Sequence, residues 1–240
     1  MGNIRSHRGI PKCLLDKFTY DSTHVWVYML KNNKILSMNT KDVSVECGYY
    51  AENVENGLSD YESNFLNCIN DLMVKLETPS IDCFELSKEN EIRIIEYANI
   101  SLLRSKYLFE YFFEDEAKKK LHEKNIILEN TSDIMDFCLK NNFNLLSITG
   151  NNISFVLNKS SKEIITNSLG FYLSKNKNQF TRMFIPISPK YAIVISTEAK
   201  ITYIDDENID INNKNMYSFD KEFGYGFLIS NEKVCLKSFM

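Results

Sequence analysis

Arginine is the charged residue this sequence uses most sparingly, so each arginine marks a place to look for chemistry. Five arginines stand against 23 lysines, and 27 asparagines against a single glutamine. That usage is what an AT-rich genome would produce, with lysine as the default cation. Arg104 lies in a segment otherwise full of apolar and aromatic residues. A guanidinium held there could bind a carboxylate or phosphate through two parallel hydrogen bonds. Arg93 stands eleven residues earlier, nearly three helical turns, so the two would project from nearly one face about 16 Å apart. They could line a groove or pair with separate acids, but not clamp one small group. The plain alternative for Arg104 is an internal salt bridge, with Glu62 as a partner. Glu62 also has a local reading, because Ser59-Asp60-Tyr61-Glu62 has the form of a capping box at a helix start.

Other chemistries find little support. The six cysteines stand singly and form no Cys-x-x-Cys pair, which suits reduced core thiols in a cytoplasmic protein. With three histidines, at 7, 24 and 122, no zinc spacing can be assembled, so no metal is expected. The phosphate-binding Gly-x-x-x-x-Gly-Lys-Ser/Thr loop, Gly-x-Gly-x-x-Gly, Gly-x-Ser-x-Gly and His-Glu-x-x-His are all missing. Net charge is −4 and the isoelectric point about 5.5, which argues against broad sequence-independent DNA binding but leaves room for a local basic groove. No run approaches the ~18 apolar residues of a membrane-spanning helix. No cofactor can be named from the sequence.

The elements that must position these residues change character twice. Residues 24–30 and 34–38 alternate around Asn32-Asn33 and predict a hairpin, with 43–50 as a third strand of a meander over 20–50. From Ser59 the apolar residues Phe65, Leu66, Ile69, Leu72, Met73 and Leu76 follow at helical spacing. A second helix is predicted from about Ser87 to 124, and a third over 131–142. In the second, Glu114, Asp115 and Glu116 precede Lys118, Lys119 and Lys120 by four residues, marking a solvated face. Over 143–240 strands return, at 143–149, 153–157, 180–187, 191–197, 201–204, 225–230 and 234–236, with a short helix near 210–219. This order predicts one compact α+β domain: antiparallel strands at both ends of the chain, flanking a helical middle at 59–142.

Several segments together resemble a bacterial family of unknown function with an N-terminal His-Tyr-Val-Pro-x-x-x-Leu-x-x-Phe signature. The matching stretch is Arg8-Gly9-Ile10-Pro11-Lys12-Cys13-Leu14-Leu15-Asp16-Lys17-Phe18, and Val25-Trp26-Val27-Tyr28 resembles the segment after it. The acidic stretch Val54-Glu55-Asn56-Gly57-Leu58-Ser59-Asp60-Tyr61-Glu62 is similar to a helix start in the family. Leu103-Arg104-Ser105 stands where the family has Arg-Thr-Pro. Thr149-Gly150-Asn151-Asn152-Ile153 resembles its Thr-Ser-Asp-Asn-Pro, and Phe184 to Lys190 its Pro-Leu-Ser-Pro strand end, led here by Arg182. The sequence departs from the pattern where the family's histidine is Arg8, with His7 one residue upstream, and where its aspartate is Asn151.

The resemblance implies one polar site assembled from distant segments. His7 or Arg8, Glu62, Arg104 and Asn151 would carry the chemistry, and Thr149, Asn152, Arg93 and Arg182 would bind the ligand. A histidine could serve as general base and an arginine could hold an anionic group. Cys13 beside Arg8 could be a stabilised thiolate, or simply pack in the core. Two functions follow. One is a cytoplasmic hydrolase or nuclease-like effector of a defence or toxin system, with a nucleotide or nucleic acid as ligand. The other is a non-catalytic binding or sensor module, since replacing Asp by Asn removes a base but keeps hydrogen bonding. A protein partner is a further expectation.

Overall fold

The computed structural model describes residues 5–76, 86–105, 131–141, 151–176, 179–198, 201 and 203–240. Its first strand, β1 (Arg5–His7), leads into the one-turn helix α1 (Lys12–Leu15), with Pro11 at the N-cap. Proline suits this position, where an amide hydrogen would lack a helical acceptor. The signature residues are core: Ile10, Leu14, Leu15 and Phe18 are fully buried.

The hairpin follows as read, β2 (His24–Met29) and β3 (Lys34–Asn39), with Asn33 at φ 54° supplying the left-handed residue of the turn. The third strand differs from expectation. Only β4 (Val45–Cys47) forms, and it pairs antiparallel with β1, Ser6 opposite Glu46, not with β3. A 3-10 turn at 40–42 carries the chain away from the hairpin edge.

Helix α2 (Glu52–Leu76) begins seven residues before the capping-box motif, so Ser59 is a mid-helix residue and not a cap. The motif is outweighed by the apolar stripe, because Val54 and Leu58 are buried and sit at helical spacing with Phe65, Ile69 and Leu72. Glu62 falls on that same stripe, four residues after Leu58 and three before Phe65. Helix α3 (Lys88–Leu103) starts at Ser87, whose side chain accepts from the Asn90 amide. Its predicted continuation, and the charge run at 114–120, lie outside the described residues. So do the predicted strand at 143–149 and Thr149. Helix α4 (Thr131–Lys140) packs on α2.

The C-terminal half completes two larger sheets. Strands β5 (Asn152–Asn158), β7 (Tyr172–Asn176), β8 (Gln179–Pro186), β9 (Tyr191–Ser196) and β10 (Tyr203–Ile204) make a sheet of order β10-β5-β9-β8-β7. It is antiparallel except at β10–β5. Strand β11 (Phe227–Ser230) returns to the hairpin and also pairs with β6 (Thr166–Asn167), giving order β3-β2-β11-β6. Between them runs α5 (Asp206–Phe223), longer than predicted and capped by Asp205. Residues 234–236, predicted as strand, lie in the short helix α6 (Lys233–Lys237), which buries Leu236 and leaves Val234 exposed, whereas a strand would put both on one face. The architecture is α+β, with strands at both ends and helices between.

Two apolar clusters result. The larger joins the sheets to α1, the C-terminal half of α2 and most of α3. The smaller holds Tyr50, Val54, Leu58, Ile100, Leu103 and residues of α4. No described helix is long and apolar enough to cross a membrane. The described cysteines are free: Cys68 and Cys138 are buried, Cys13 and Cys235 partly so, and Cys47 is exposed.

Candidate functional site

Glu62 and Arg104 meet where the two apolar clusters part. Leu58 and Leu103 belong to one cluster, Phe65 and Leu102 to the other, and the ion pair lies between. Arg104 Nη2 donates to Glu62 Oε1 in a very short contact, and Nη1 donates to the Gly9 carbonyl at 3.3 Å. Arg104 is only 3% exposed. Burial, the largest single effect, would lower its pKa, but the Glu62 carboxylate and its hydrogen bond, together with Tyr50 and Tyr97, outweigh it, and the guanidinium stays charged.

Other polar groups gather around the pair. His7 has its pKa lowered by burial, opposed by Glu62 and reinforced by Arg104, so its imidazole is neutral at pH 7. Burial pushes the Cys13 thiol up to about 12, with Glu62 adding to the effect, which removes it as a thiolate nucleophile. The Tyr50 and Tyr97 phenols are raised by burial and both lie within electrostatic reach of Arg104 and Glu62. Glu55 is raised by burial too, with Ser6, Arg104 and Glu62 beside it.

The cluster is short of hydrogen bonds. Ser6 Oγ, His7 Nδ1, Tyr50 Oη, Glu55 Oε1, Tyr97 Oη and Arg104 Nε are buried atoms without a partner. Ser6 lies beside Glu55, and Tyr97 beside Ser101, without reaching hydrogen-bonding geometry. Buried polar atoms are ordinarily paired with protein or ordered water, and these six have no protein partner.

Arg8 is adjacent but turned elsewhere. It pairs with Glu46 at 3.0 Å and stacks over the Tyr225 ring at 4.7 Å. The Tyr225 hydroxyl lies 3.1 Å from the Arg104 carbonyl and 3.4 Å from the Arg8 carbonyl, which ties the end of α3 to β1. Gly9 is needed for the approach of β1 to the C-terminal half: a Cβ there would stand 2.1 Å from the Ser168 carbonyl oxygen.

The remaining sequence candidates sit apart. Asn152 opens β5 and donates to the Glu198 carbonyl at 2.6 Å, and Arg182 on β8 faces the Glu198 carboxylate at 3.6 Å. Both strands flank Ser196 of β9, so Asn152 and Arg182 share one end of the five-stranded sheet. Asn151 immediately precedes β5 and is partly buried. Arg182 also lines a cavity of about 260 Å³ with Asn208 and Asn212. Arg93 contacts Glu89 at 3.6 Å and lines a groove of about 520 Å³ between α2, α3 and α4. The structure thus brings together His7, Glu62 and Arg104, with Arg8 at their border, and places Arg93 and the Asn152–Arg182 end on other surfaces. Tyr50, Tyr97, Ser6 and Tyr225 were missed by the sequence reading, because a tyrosine or serine inside an apolar pattern carries no mark of where its hydroxyl will end.

One family matches almost the whole of this arrangement. Residues 7–222 match DUF4238, a protein family of unknown function. The chain belongs to the DUF4238 family. The matched span of this DUF4238 protein opens on His7 and takes in every member of the cluster but Ser6 and Tyr225. No curated protein and no solved structure matches the chain.

For a metal, the described residues offer one group. Glu163, Glu232 and Cys235 bring their ligand atoms within 4.8 Å of one another, at a groove of about 850 Å³ beside α5 and α6. Two of these are carboxylates at or near the surface, and Glu163 already accepts from Asn231 at 3.2 Å.

Proposed function

We propose that this DUF4238 protein is a binding or sensor module, whose ligand occupies the polar seam around the Glu62–Arg104 pair. One observation carries the reading: the unpartnered buried atoms of Ser6, His7, Tyr50, Glu55, Tyr97 and Arg104 gather at that seam. Two facts favour recognition over turnover. The fixed charge of the site is already neutralised by Glu62, and Cys13 is held as a thiol. A thermal-shift screen of the full chain against metabolites, nucleotides and single-stranded nucleic acid tests this. A compound that raises the melting temperature of the wild type but not of a Tyr50→Phe/Tyr97→Phe variant supports it. A screen in which no compound separates the two proteins refutes it.

A second reading, a hydrolase or nuclease-like effector of a bacterial defence or toxin system, is favoured by His7. A neutral imidazole with an unpartnered Nδ1 beside a carboxylate and a guanidinium has the composition of a general-base site. Hydrolysis of a nucleotide or nucleic acid that is abolished in a folded His7→Ala variant would select this reading over the first.

A further inference from the structure

A cavity of about 260 Å³ stands apart from the seam, between the five-stranded sheet and α5. Arg182 and Phe184 are two residues apart on β8 and project from one face, with Val194 of β9 opposite Phe184. Tyr172 of β7 also pairs with Phe184, and its hydroxyl donates to Asn212 of α5, so α5 lies over that face. Ile201 and Ile204 join the lining. The volume is below the ~300–1,000 Å³ of drug-sized pockets, so the ligand it admits is small.

The lining has an apolar part and a charged part. Phe184, Val194 and Ile204 are each at most 2% exposed and offer only apolar side-chain atoms. Arg182 stands about 7 Å further along the strand from Phe184. Its guanidinium has no firm partner. Nε is buried and unpartnered, and Nη2 faces the Glu198 carboxylate at 3.6 Å, beyond hydrogen-bonding distance. Glu198 is 60% exposed, and an exposed pair of this kind contributes little. Asn212 spends its oxygen on the Tyr172 hydroxyl, which leaves its amide group to donate.

The chemistry of these groups selects a ligand. A planar guanidinium matches a carboxylate through two parallel hydrogen bonds, and the apolar floor calls for a hydrocarbon tail. Two acids stand at the border, Glu198 and Asp205, the latter accepting from Asn208 at 2.8 Å, so one negative charge fits and a dianion such as phosphate is disfavoured. We propose that this cavity binds a small monocarboxylate with a short aliphatic tail, its carboxylate on the Arg182 guanidinium and the Asn212 amide, and its tail on Phe184, Val194 and Ile204. This is a second site, independent of the seam.

The test titrates pentanoate, pentanamide, pentylamine and inorganic phosphate into the full chain by calorimetry at neutral pH. Pentanoate should bind, and the other three should not. Arg182→Gln should weaken pentanoate by at least about tenfold, because it removes both the charge and the paired donors. Glu198→Gln should tighten it by about twofold to fivefold, since the carboxylate that competes for Arg182 is gone; a merely structural Arg182 would not produce that gain. The Arg182–Glu198 pair is loose, so both variants should melt within a few degrees of the wild type, which separates lost binding from lost fold. Absence of pentanoate binding, or binding unchanged in Arg182→Gln, overturns the proposal. Pentanamide binding as tightly as pentanoate would overturn the role of charge, and preference for phosphate would overturn the monocarboxylate. The Tyr50→Phe/Tyr97→Phe variant should bind pentanoate as the wild type does; loss of binding there would place the ligand at the seam and overturn the second site.

Discussion

Two buried polar centres of this protein differ in one respect, and the difference separates scaffold from site. In the first, the Asp220 carboxylate accepts from the amides of Ser168 at 2.9 Å, Gly226 at 3.0 Å and Phe227 at 2.7 Å, and from the Ser168 hydroxyl in a very short contact. Ser168 Oγ in turn accepts from the Tyr225 amide at 2.7 Å. Neighbouring Asn167 accepts from three backbone amides and donates to two carbonyls. This centre holds α5 against β6 and β11, and the side-chain atoms of Asn167, Ser168 and Asp220 are all engaged. The second centre, around Arg104, is buried at Arg104, Ser6, Tyr50 and Tyr97 but partly open at His7, Glu55 and Glu62, and has one satisfied ion pair beside unpartnered atoms. A fully paired network fixes a single geometry, whereas a half-paired one is unstable unless another molecule completes it. The saturated centre builds the fold, and the unsaturated one is where we propose that a ligand binds.

The comparison breaks most readily at Asp220. Asp220→Ala strands three backbone amides and a hydroxyl in the interior and should remove about 3–5 kcal/mol of stability, read by urea denaturation. A loss below about 1 kcal/mol would show that the network is not structural. At the seam, Arg104→Met should cost about 3 kcal/mol because it leaves the Glu62 carboxylate alone, and the Glu62→Leu/Arg104→Met double variant should recover part of that loss. A double variant worse than the single would mean that the pair also serves packing. Gly9→Ala should cost about 2–3 kcal/mol, since its Cβ meets backbone that cannot rotate away.

The sharpest contrast is between hydroxyls. Ser168→Ala should cost about 1–3 kcal/mol, while Tyr50→Phe and Tyr97→Phe should change stability by less than about 0.5 kcal/mol, because no protein hydrogen bond is lost. Equal losses at all three would erase the distinction between the two centres.

The smallest effect concerns pH. The folded pKa of His7 lies below its ordinary value of 6.5, so the unfolded chain takes up the proton first. Its contribution to stability is present above 6.5 and is lost as pH falls through the lower folded value. Asp220 runs the other way, with a folded pKa raised by burial to about 6 from 3.8. The folded state holds that proton more tightly, so this contribution is present below 3.8 and is lost as pH rises to about 6. Melting temperatures between pH 4 and 7.5 should show reduced acid sensitivity near pH 6 in His7→Phe. An unchanged profile would place His7 in contact with water.

The sequence announces the scaffold better than the site. Asn32-Asn33, Ser87 and the stripe from Phe65 to Leu76 act through local preference, and each ends up as expected. Where local preference conflicts with packing, packing decides. Ser59 has the residues of a cap, yet Val54 and Leu58 extend α2 through it, and Val234 to Leu236 read as strand but close as helix. The rarity of arginine does point to Arg104, and an internal pair with Glu62 was among its readings. Nothing local distinguishes Asp220, whose partners begin 52 residues upstream, or Tyr50, whose importance lies in a bond it does not make.

The Tyr225 hydroxyl has a consequence for how the chain becomes functional in time. It spans 121 residues to the Arg104 carbonyl and 217 to that of Arg8. Contacts of such separation form late, because the intervening chain must be ordered first. During synthesis, the strand and helix ends that border the seam are drawn together only after Tyr225 has left the ribosome. A nascent chain would therefore carry the described segments that line the proposed seam through 121 further residues of elongation before the contact that closes it can form.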